Sequence, residues 1–285
     1  MADNRETLDI EGLLRFYAEA GIDMPLSETP IDRFAEPQRP ASSQPTAQMP
    51  NSPERARQQQ PRPAPAPAPT SKPVQAAADL PDTAQIALAR EAAAQASTLE
   101  ELREKLAAFD GCNLKFTAKN LCFADGDPSS DIMFIGEAPG RDEDMEGLPF
   151  VGKSGQLLNR MIESIGLKRE SVYIANTIPW RPPGNRTPTP LETELCRPFI
   201  ERQIELASPK VLVALGGPAG KALTGATEGI LRLRGNWKIH RTPNGLEIPL
   251  MPTLHPAYLL RTPAQKRFAW RDFLAVKLKL AELMS

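Results

Sequence analysis

The sequence predicts a three-layer α/β/α domain around a central, mostly parallel sheet, and three patterns predict it. Short apolar runs at 131–135, 172–178 and 210–215 have the length of buried strands. Each run stops at glycine or a polar turn, and segments of helical periodicity lie between them. Strands alternating with helices argue for parallel strands covered on both faces.

Taken in order, residues 7–20 place Ile10, Leu13, Leu14 and Tyr17 on one helical face, a surface suited to a protein partner or to the chain's own domain. Residues 36–82 are rich in Pro, Ala, Gln and Ser, with PRPAPAPAP at 61–69. Such a composition buries too little apolar surface to offset its ordering entropy and predicts a disordered, partly polyproline linker. The chain thus divides into an N-terminal extension (1–35), a linker (36–82) and one α/β domain (83–285). Residues 83–108 read as helical. After the strand at 131–135, Gly136-Glu137-Ala138-Pro139-Gly140 breaks both helix and strand. A helix at about 154–165 follows, with Ser154 as its expected cap, Leu157, Leu158, Met161, Ile162 and Ile165 as its apolar stripe and Gly166 as its end. The second strand ends at Asn176-Thr177-Ile178. Thr189-Pro190-Leu191-Glu192 has capping-box spacing, and Pro198 predicts a kink or restart in the helix it opens. The strand at 210–215 closes in Gly216-Gly217, residues 237–240 and 246–254 supply one or two more strands, and a helix covers about 264–283.

Charge is unevenly spread. Residues 181–285 carry 16 Lys and Arg against 8 Asp and Glu, while residues 1–180 carry 18 against 27. A basic C-terminal half is compatible with a polyanion partner. Three cysteines at irregular spacing give no disulfide framework. The sequence shows neither an apolar run long enough to cross a bilayer nor an N-terminal signal-peptide core, so the expectation is a cytoplasmic protein without membrane contact.

The glycine turn presents one carboxylate, Glu137, at the carboxyl end of a strand, where open α/β sheets bind ligands. With backbone N–H groups and Phe150 nearby, it suggests a pocket for a small base. GEAPG at 136–140, LPFVGKSGQLL at 148–158, VYIAN at 172–176, RPPGNRTPTP at 181–190, PKVLVALG at 209–216 and HPAYLLR at 255–261 stand in an order that resembles the uracil-DNA glycosylase superfamily, specifically its family 4 (thermophile-type) branch. The similarity covers roughly 105–280.

The resemblance implies hydrolysis of the N-glycosidic bond of deoxyuridine in DNA, single- or double-stranded, by a monomer that flips the nucleotide out and so initiates base-excision repair. It implies that Glu137 activates or positions the water and offsets sugar cation charge. It implies that His255 donates a hydrogen bond to a uracil carbonyl, that Phe150 stacks on the base, that Asn176 reads its edge and that backbone N–H groups near Ala138 contact it. Leu259 and Leu260 are wedge candidates for the vacated stack. Arg261, Arg186, Lys266, Arg267 and Arg271 are candidate DNA contacts. His240, in an expected strand, receives no role.

Family 4 enzymes carry a four-cysteine iron–sulfur cluster. Here Cys112 and Cys196 fall at two ligand positions, but Phe109 and Trp180 fall at the other two, and Cys122 stands where the family has an apolar residue. A cluster is usually held by four thiolates, so the expectation is no cofactor, with the two aromatic residues filling the volume as core and Cys122 a weak third-ligand candidate. Competing readings are removal of other deaminated bases such as hypoxanthine, a non-catalytic lesion-binding protein, and a nucleotide-phosphate binder. Asn176 argues against the first, and Glu137, Asn176 and His255 together argue against the second. The third lacks the Lys-Ser/Thr of a P-loop.

Overall fold

The carboxyl ends of four parallel strands set where the chemistry of this chain lies. The computed structural model describes residues 82–284. The expected helix at 7–20 and the linker at 36–82 lie outside those residues, apart from Asp82, which already opens a helix. The sheet has six strands: β1 (Asp125–Gly126), β2 (Ile132–Gly136), β3 (Tyr173–Asn176), β4 (Val211–Leu215), β5 (Lys238–Arg241) and β6 (Glu247–Thr253). Their order is β1-β3-β2-β4-β6-β5. The inner four run parallel, and β1 and β5 pair antiparallel at the two edges.

The predicted three layers follow from side-chain alternation along the strands. Ile132 and Phe134 of β2 and Val213 and Leu215 of β4 point to one face. There they meet Leu158 and Ile162 of α5 (Lys153–Ser164) and Phe273 and Val276 of α10 (Lys266–Met284). Met133 and Ile135, with Leu212 and Ala214, point to the other face. That face is covered by Ile200 and Ile204 of α6 (Pro190–Ala207) and by Ala219 and Leu223 of α7 (Gly217–Thr224). Both faces of β2, β3 and β4 are buried, which is why these strands read as unbroken apolar runs rather than alternating ones.

Several boundaries differ from expectation for local reasons. The helical stretch at 83–108 is two helices, α1 (Asp82–Ala94) and α2 (Leu99–Ala108). Thr98 Oγ1 accepts from the Glu101 N–H at 3.1 Å while Glu101 Oε2 accepts from the Ser97 N–H at 2.7 Å, and this capping pair starts a new helix. Short α3 (Leu114–Thr117) follows, and α4 (Arg141–Glu146) is inserted after the glycine turn. Ser154 does not cap α5. Gly152 does, because its N–H is taken by Glu143 Oε1 at 3.0 Å, which leaves Ser154 in the first turn. Thr189 and Glu192 do form the predicted box at the start of α6. The helix then runs through Pro198 without restarting, held by buried Leu195, Cys196, Phe199 and Ile200 on both sides of it.

The segment that leads from the sheet to His255 is fixed by a buried ion pair. Asp272 of α10, 2% exposed, accepts from Arg234 Nε at 2.8 Å, from Arg234 Nη2 and from Thr253 Oγ1 at 2.6 Å. Arg234 also donates to the Phe268 carbonyl at 3.0 Å. This joins the end of β6, the end of α8 (Ile230–Leu233) and α10. Removing one partner strands the other in a poorly hydrated site. Asp272→Ala should therefore cost about 3–5 kcal/mol, read as a lowered midpoint in urea unfolding; a wild-type midpoint would show that the pair adds no stability.

Candidate active site

The sheet places the GEAPG turn and the end of β3 side by side. Gly136 pairs with Asn176 in the parallel register. The pairing continues past the strand ends: Thr177 N–H donates to the Gly136 carbonyl at 2.9 Å and Ile178 N–H to the Glu137 carbonyl at 3.0 Å. The Thr177 hydroxyl also donates to the Glu137 carbonyl, at 2.8 Å. Glu137 therefore has a fixed backbone and a side chain free to face the cleft. A side chain at Gly136 would collide with both neighbours, since a Cβ there would stand 2.4 Å from Asn176 Oδ1 and 2.5 Å from Phe150 Cζ.

The cleft encloses about 460 Å³, and Glu137, Ala138, Phe150, Asn176 and His255 all line it. Burial pushes the carboxyl of Glu137 above the usual carboxylate range. Asn176 is 4% exposed, and its Oδ1 is buried without a hydrogen-bond partner. An unpaired buried amide oxygen is costly and marks a group waiting for a donor. Phe150 holds a left-handed backbone at φ 54°, a conformation that costs a bulky residue about 1–3 kcal/mol and gathers at functional sites. Its ring lies 5.6 Å from that of His255, with 30° between the planes.

His255 caps α9 (Pro256–Arg261). Its Nδ1 accepts from the Ala257 N–H at 3.1 Å, so the proton of the neutral ring sits on Nε2. Burial, assisted by the charge of Arg261, pushes the imidazole down to about 4. The ring is thus a neutral donor at physiological pH.

Among the DNA-contact candidates, the structure separates what the sequence grouped. Leu259 is 1% exposed and packs with Leu254 and Ala269, backed by Met161 and Phe268. It is core, since the phase of α9 turns it toward α5 and α10, and the wedge expectation for it is corrected. Leu260, one position on, is 44% exposed. Arg261 is exposed and lines the cleft. Arg186 lines it too, but its guanidinium is held by Glu192 at 2.6 and 2.8 Å rather than free. Lys266, Arg267 and Arg271 are exposed on α10, with Arg267 lying 4.7 Å over the Phe268 ring. His240 is buried, bonded through Nδ1 to the Leu223 carbonyl at 2.9 Å with Nε2 3.2 Å from Glu201. Sequence reasoning gave Ser154 only a capping role, reached Asn185 only as part of the RPPGNRTP loop, and missed Glu143, whose only signal was an acid three positions after Gly140.

Residues 123–279, more than half of the chain, match the family model described as the uracil DNA glycosylase superfamily. The chain belongs to the uracil-DNA glycosylase superfamily. It is 37% identical over 188 residues to the type-4 uracil-DNA glycosylase of Sulfurisphaera tokodaii, covering 63% of this chain and 84% of that protein. It is 38% identical over 181 residues to the type-4 enzyme of Archaeoglobus fulgidus, covering 62% and 90%. With that of Thermotoga maritima it shares 40% over 167 residues, covering 57% and 83%.

The corner where the sequence resemblance places a cluster is packed with side chains in this superfamily member. Cys112, Cys196 and Trp180 are buried in one apolar cluster with Phe199, and Phe109 packs on it with its ring 5.3 Å from that of Phe199. The Cys196 thiol lowers the Cys112 thiol from its ordinary value, while that same pairing, with burial, pushes Cys196 well up. Cys122 lies apart, donating to the Glu143 carbonyl at 3.1 Å and pushed up to about 12 by burial. Among the described residues no group of three or more His, Cys, Asp or Glu is placed to hold a metal ion. Two thiols beside two aromatic residues do not fit a four-thiolate centre.

If Leu259 is core, Leu259→Ala should destabilise the protein by about 2–5 kcal/mol, while Leu260→Ala should shift the thermal midpoint negligibly. Equal midpoints for the two variants would contradict this assignment.

Proposed function

We propose that Glu137, Asn176, Phe150 and His255 carry uracil excision in this chain. As a uracil-DNA glycosylase, a hydrolase of the N-glycosidic bond, it opens base-excision repair. The bond breaks with positive charge on the sugar and negative charge on the departing base, so the site must favour both. The observation that carries the residue assignment is the orphaned Oδ1 of Asn176 at the wall of a cleft that Glu137 and His255 share. An amide oxygen accepts from the uracil N3–H while the amide N–H donates to O4. Cytosine presents the opposite pattern and would leave the amide unpaired.

Phe150 supplies the face on which the flipped base stacks, worth about 1–3 kcal/mol. Glu137, ionised, orients the attacking water and offsets the sugar's charge. His255 donates through Nε2 to a uracil carbonyl as charge builds there. Leu260 is the wedge that enters the duplex, and Arg261 with the exposed cations of α10 contacts phosphates. The substrate sets the compartment, and we place the protein in the cytoplasm with the chromosome.

Three measurements test the reading. Glu137→Ala should lose most turnover on a single-uracil oligonucleotide while still binding it. Because the carboxyl must be ionised and burial raises its pKa, the wild-type rate should fall as pH drops through a value above the ordinary carboxylate range, and Glu137→Gln should lack that limb. His255→Ala should cost about 10²–10³ in rate, and no ionisation of His255 should appear between pH 5 and pH 8, given its value near 4. Wild-type turnover in Glu137→Ala would retire the assignment.

We also propose that the chain folds and works without an iron–sulfur cluster, supported by aromatic side chains at two of the four ligand positions and by the separate position of Cys122. Protein purified under anaerobic conditions should contain no stoichiometric iron or acid-labile sulfide. A full complement of either refutes the idea.

A further inference from the structure

The loop that carries Phe150 is held from both sides by opposite charges. Glu143 of α4 is buried, and its carboxylate accepts three backbone N–H groups: Gly140 at 3.1 Å on Oε2, Val151 at 3.1 Å and Gly152 at 3.0 Å on Oε1. Gly140 ends the turn that bears Glu137. Val151 and Gly152 follow Phe150. One carboxylate thus spans the two loops that supply the acid and the stacking ring. It fits there because both loops end in glycine: a Cβ at Gly140 would stand 2.6 Å from Oε2, and one at Gly152 3.3 Å from Oε1.

On the other side, Arg169 donates from Nη2 to the Pro149 carbonyl at 2.7 Å and from Nη1 to the Phe150 carbonyl at 2.8 Å. Its guanidinium is itself oriented by Asp125 at 2.7 Å and Asn159 at 2.8 Å. Of four successive residues, Pro149 and Phe150 therefore give their carbonyls to a cation, and Val151 and Gly152 give their N–H groups to an anion. The strained φ of Phe150 lies between these two anchors. Charge-assisted bonds of this kind are about twice as strong as neutral ones, and they are what keeps a strained conformer populated.

We propose that Glu143 and Arg169 are positioning residues that set Phe150 against the base and fix its spacing from Glu137. The inference rests on the reading of Phe150 as the stacking ring. Neither residue acts on the substrate: the oxygens of Glu143 and the nitrogens of Arg169 are committed to protein groups.

The test is a double-mutant cycle between Glu143→Gln and Phe150→Ala, read as single-turnover excision from a single-uracil single-stranded oligonucleotide, with thermal midpoints for every variant. Glu143→Gln keeps the shape but turns one acceptor into a donor facing a loop N–H. A misplacement of about 1 Å can cost about 10²-fold. The rate per folded molecule should fall by about that factor, with KM moving less than about threefold. In the Phe150→Ala background the same change should cost less than about threefold, because the two residues act as one unit. Arg169→Lys, which reaches only one of the two carbonyls, should give the same pattern and decides the matter if Glu143→Gln does not fold. An unimpaired rate per folded molecule, or an equal cost in both backgrounds, overturns the proposal while a slowed Phe150→Ala leaves the stacking reading intact. A wild-type rate in Phe150→Ala overturns the stacking reading, and the proposal with it.

Discussion

The register between β2 and β3 is the constraint on which the cleft depends. Gly136 stands opposite Asn176, and the ladder runs two residues further, through Thr177 and Ile178, to the backbone of Glu137. A slip of one residue would turn Asn176 to the other face of the sheet and draw the Glu137 carbonyl out of its bonds. The register is protected because both faces of both strands are buried, so any slip would move apolar side chains from one full core into another. The chemistry inherits its precision from that packing. Glu137, Phe150, Asn176 and His255 come to the cleft from strand ends and from loops braced against them, which is the usual site for ligands in open parallel sheets.

What could be read from the sequence divides along physical lines. β2, β3 and β4 were legible because a strand buried on both faces is a continuous apolar run, and the capping box at Thr189 was legible because its two partners lie three residues apart. Glu137, Phe150, Asn176 and His255 were named from motifs, and the structure gathers all four around one cavity. Leu259 and Leu260 could not be told apart, since adjacent residues of a helix differ by about 100° in direction and only the seating of α9 on α5 and α10 decides which one is core. α4 was missed because RDEDME has no apolar period; what it folds around is the carboxylate of Glu143, bonded to loops eight and nine residues further along. Ser154 was taken for a cap because serine is a good one, but that same carboxylate had already claimed the N–H of Gly152.

The corner formed by Phe109, Cys112, Trp180 and Cys196 is packed with side chains from four helices. α1, α2, α3 and α6 meet there in an apolar cluster separate from the two that cover the sheet. It reaches the cleft through Ala138, which packs on it, and through Ile178, whose N–H donates to the Glu137 carbonyl at 3.0 Å. The two thiols interact with each other in a volume lined mostly by aromatic and aliphatic groups.

One detail of α9 bears on how the reaction ends. The Nδ1 lone pair of His255 is committed to the first turn of its own helix, so the ring has no second face through which a proton could be relayed. In the proposed reaction it lends its Nε2–H to the leaving base as a hydrogen bond only, because a neutral imidazole N–H is too weak an acid to give up its proton. On the chemistry proposed above, the base therefore departs as an anion and takes its proton from bulk water. Once protonated it is a weaker acceptor, and the grip that favoured its departure slackens. On that proposed chemistry, product escape follows from the tautomer of a single imidazole.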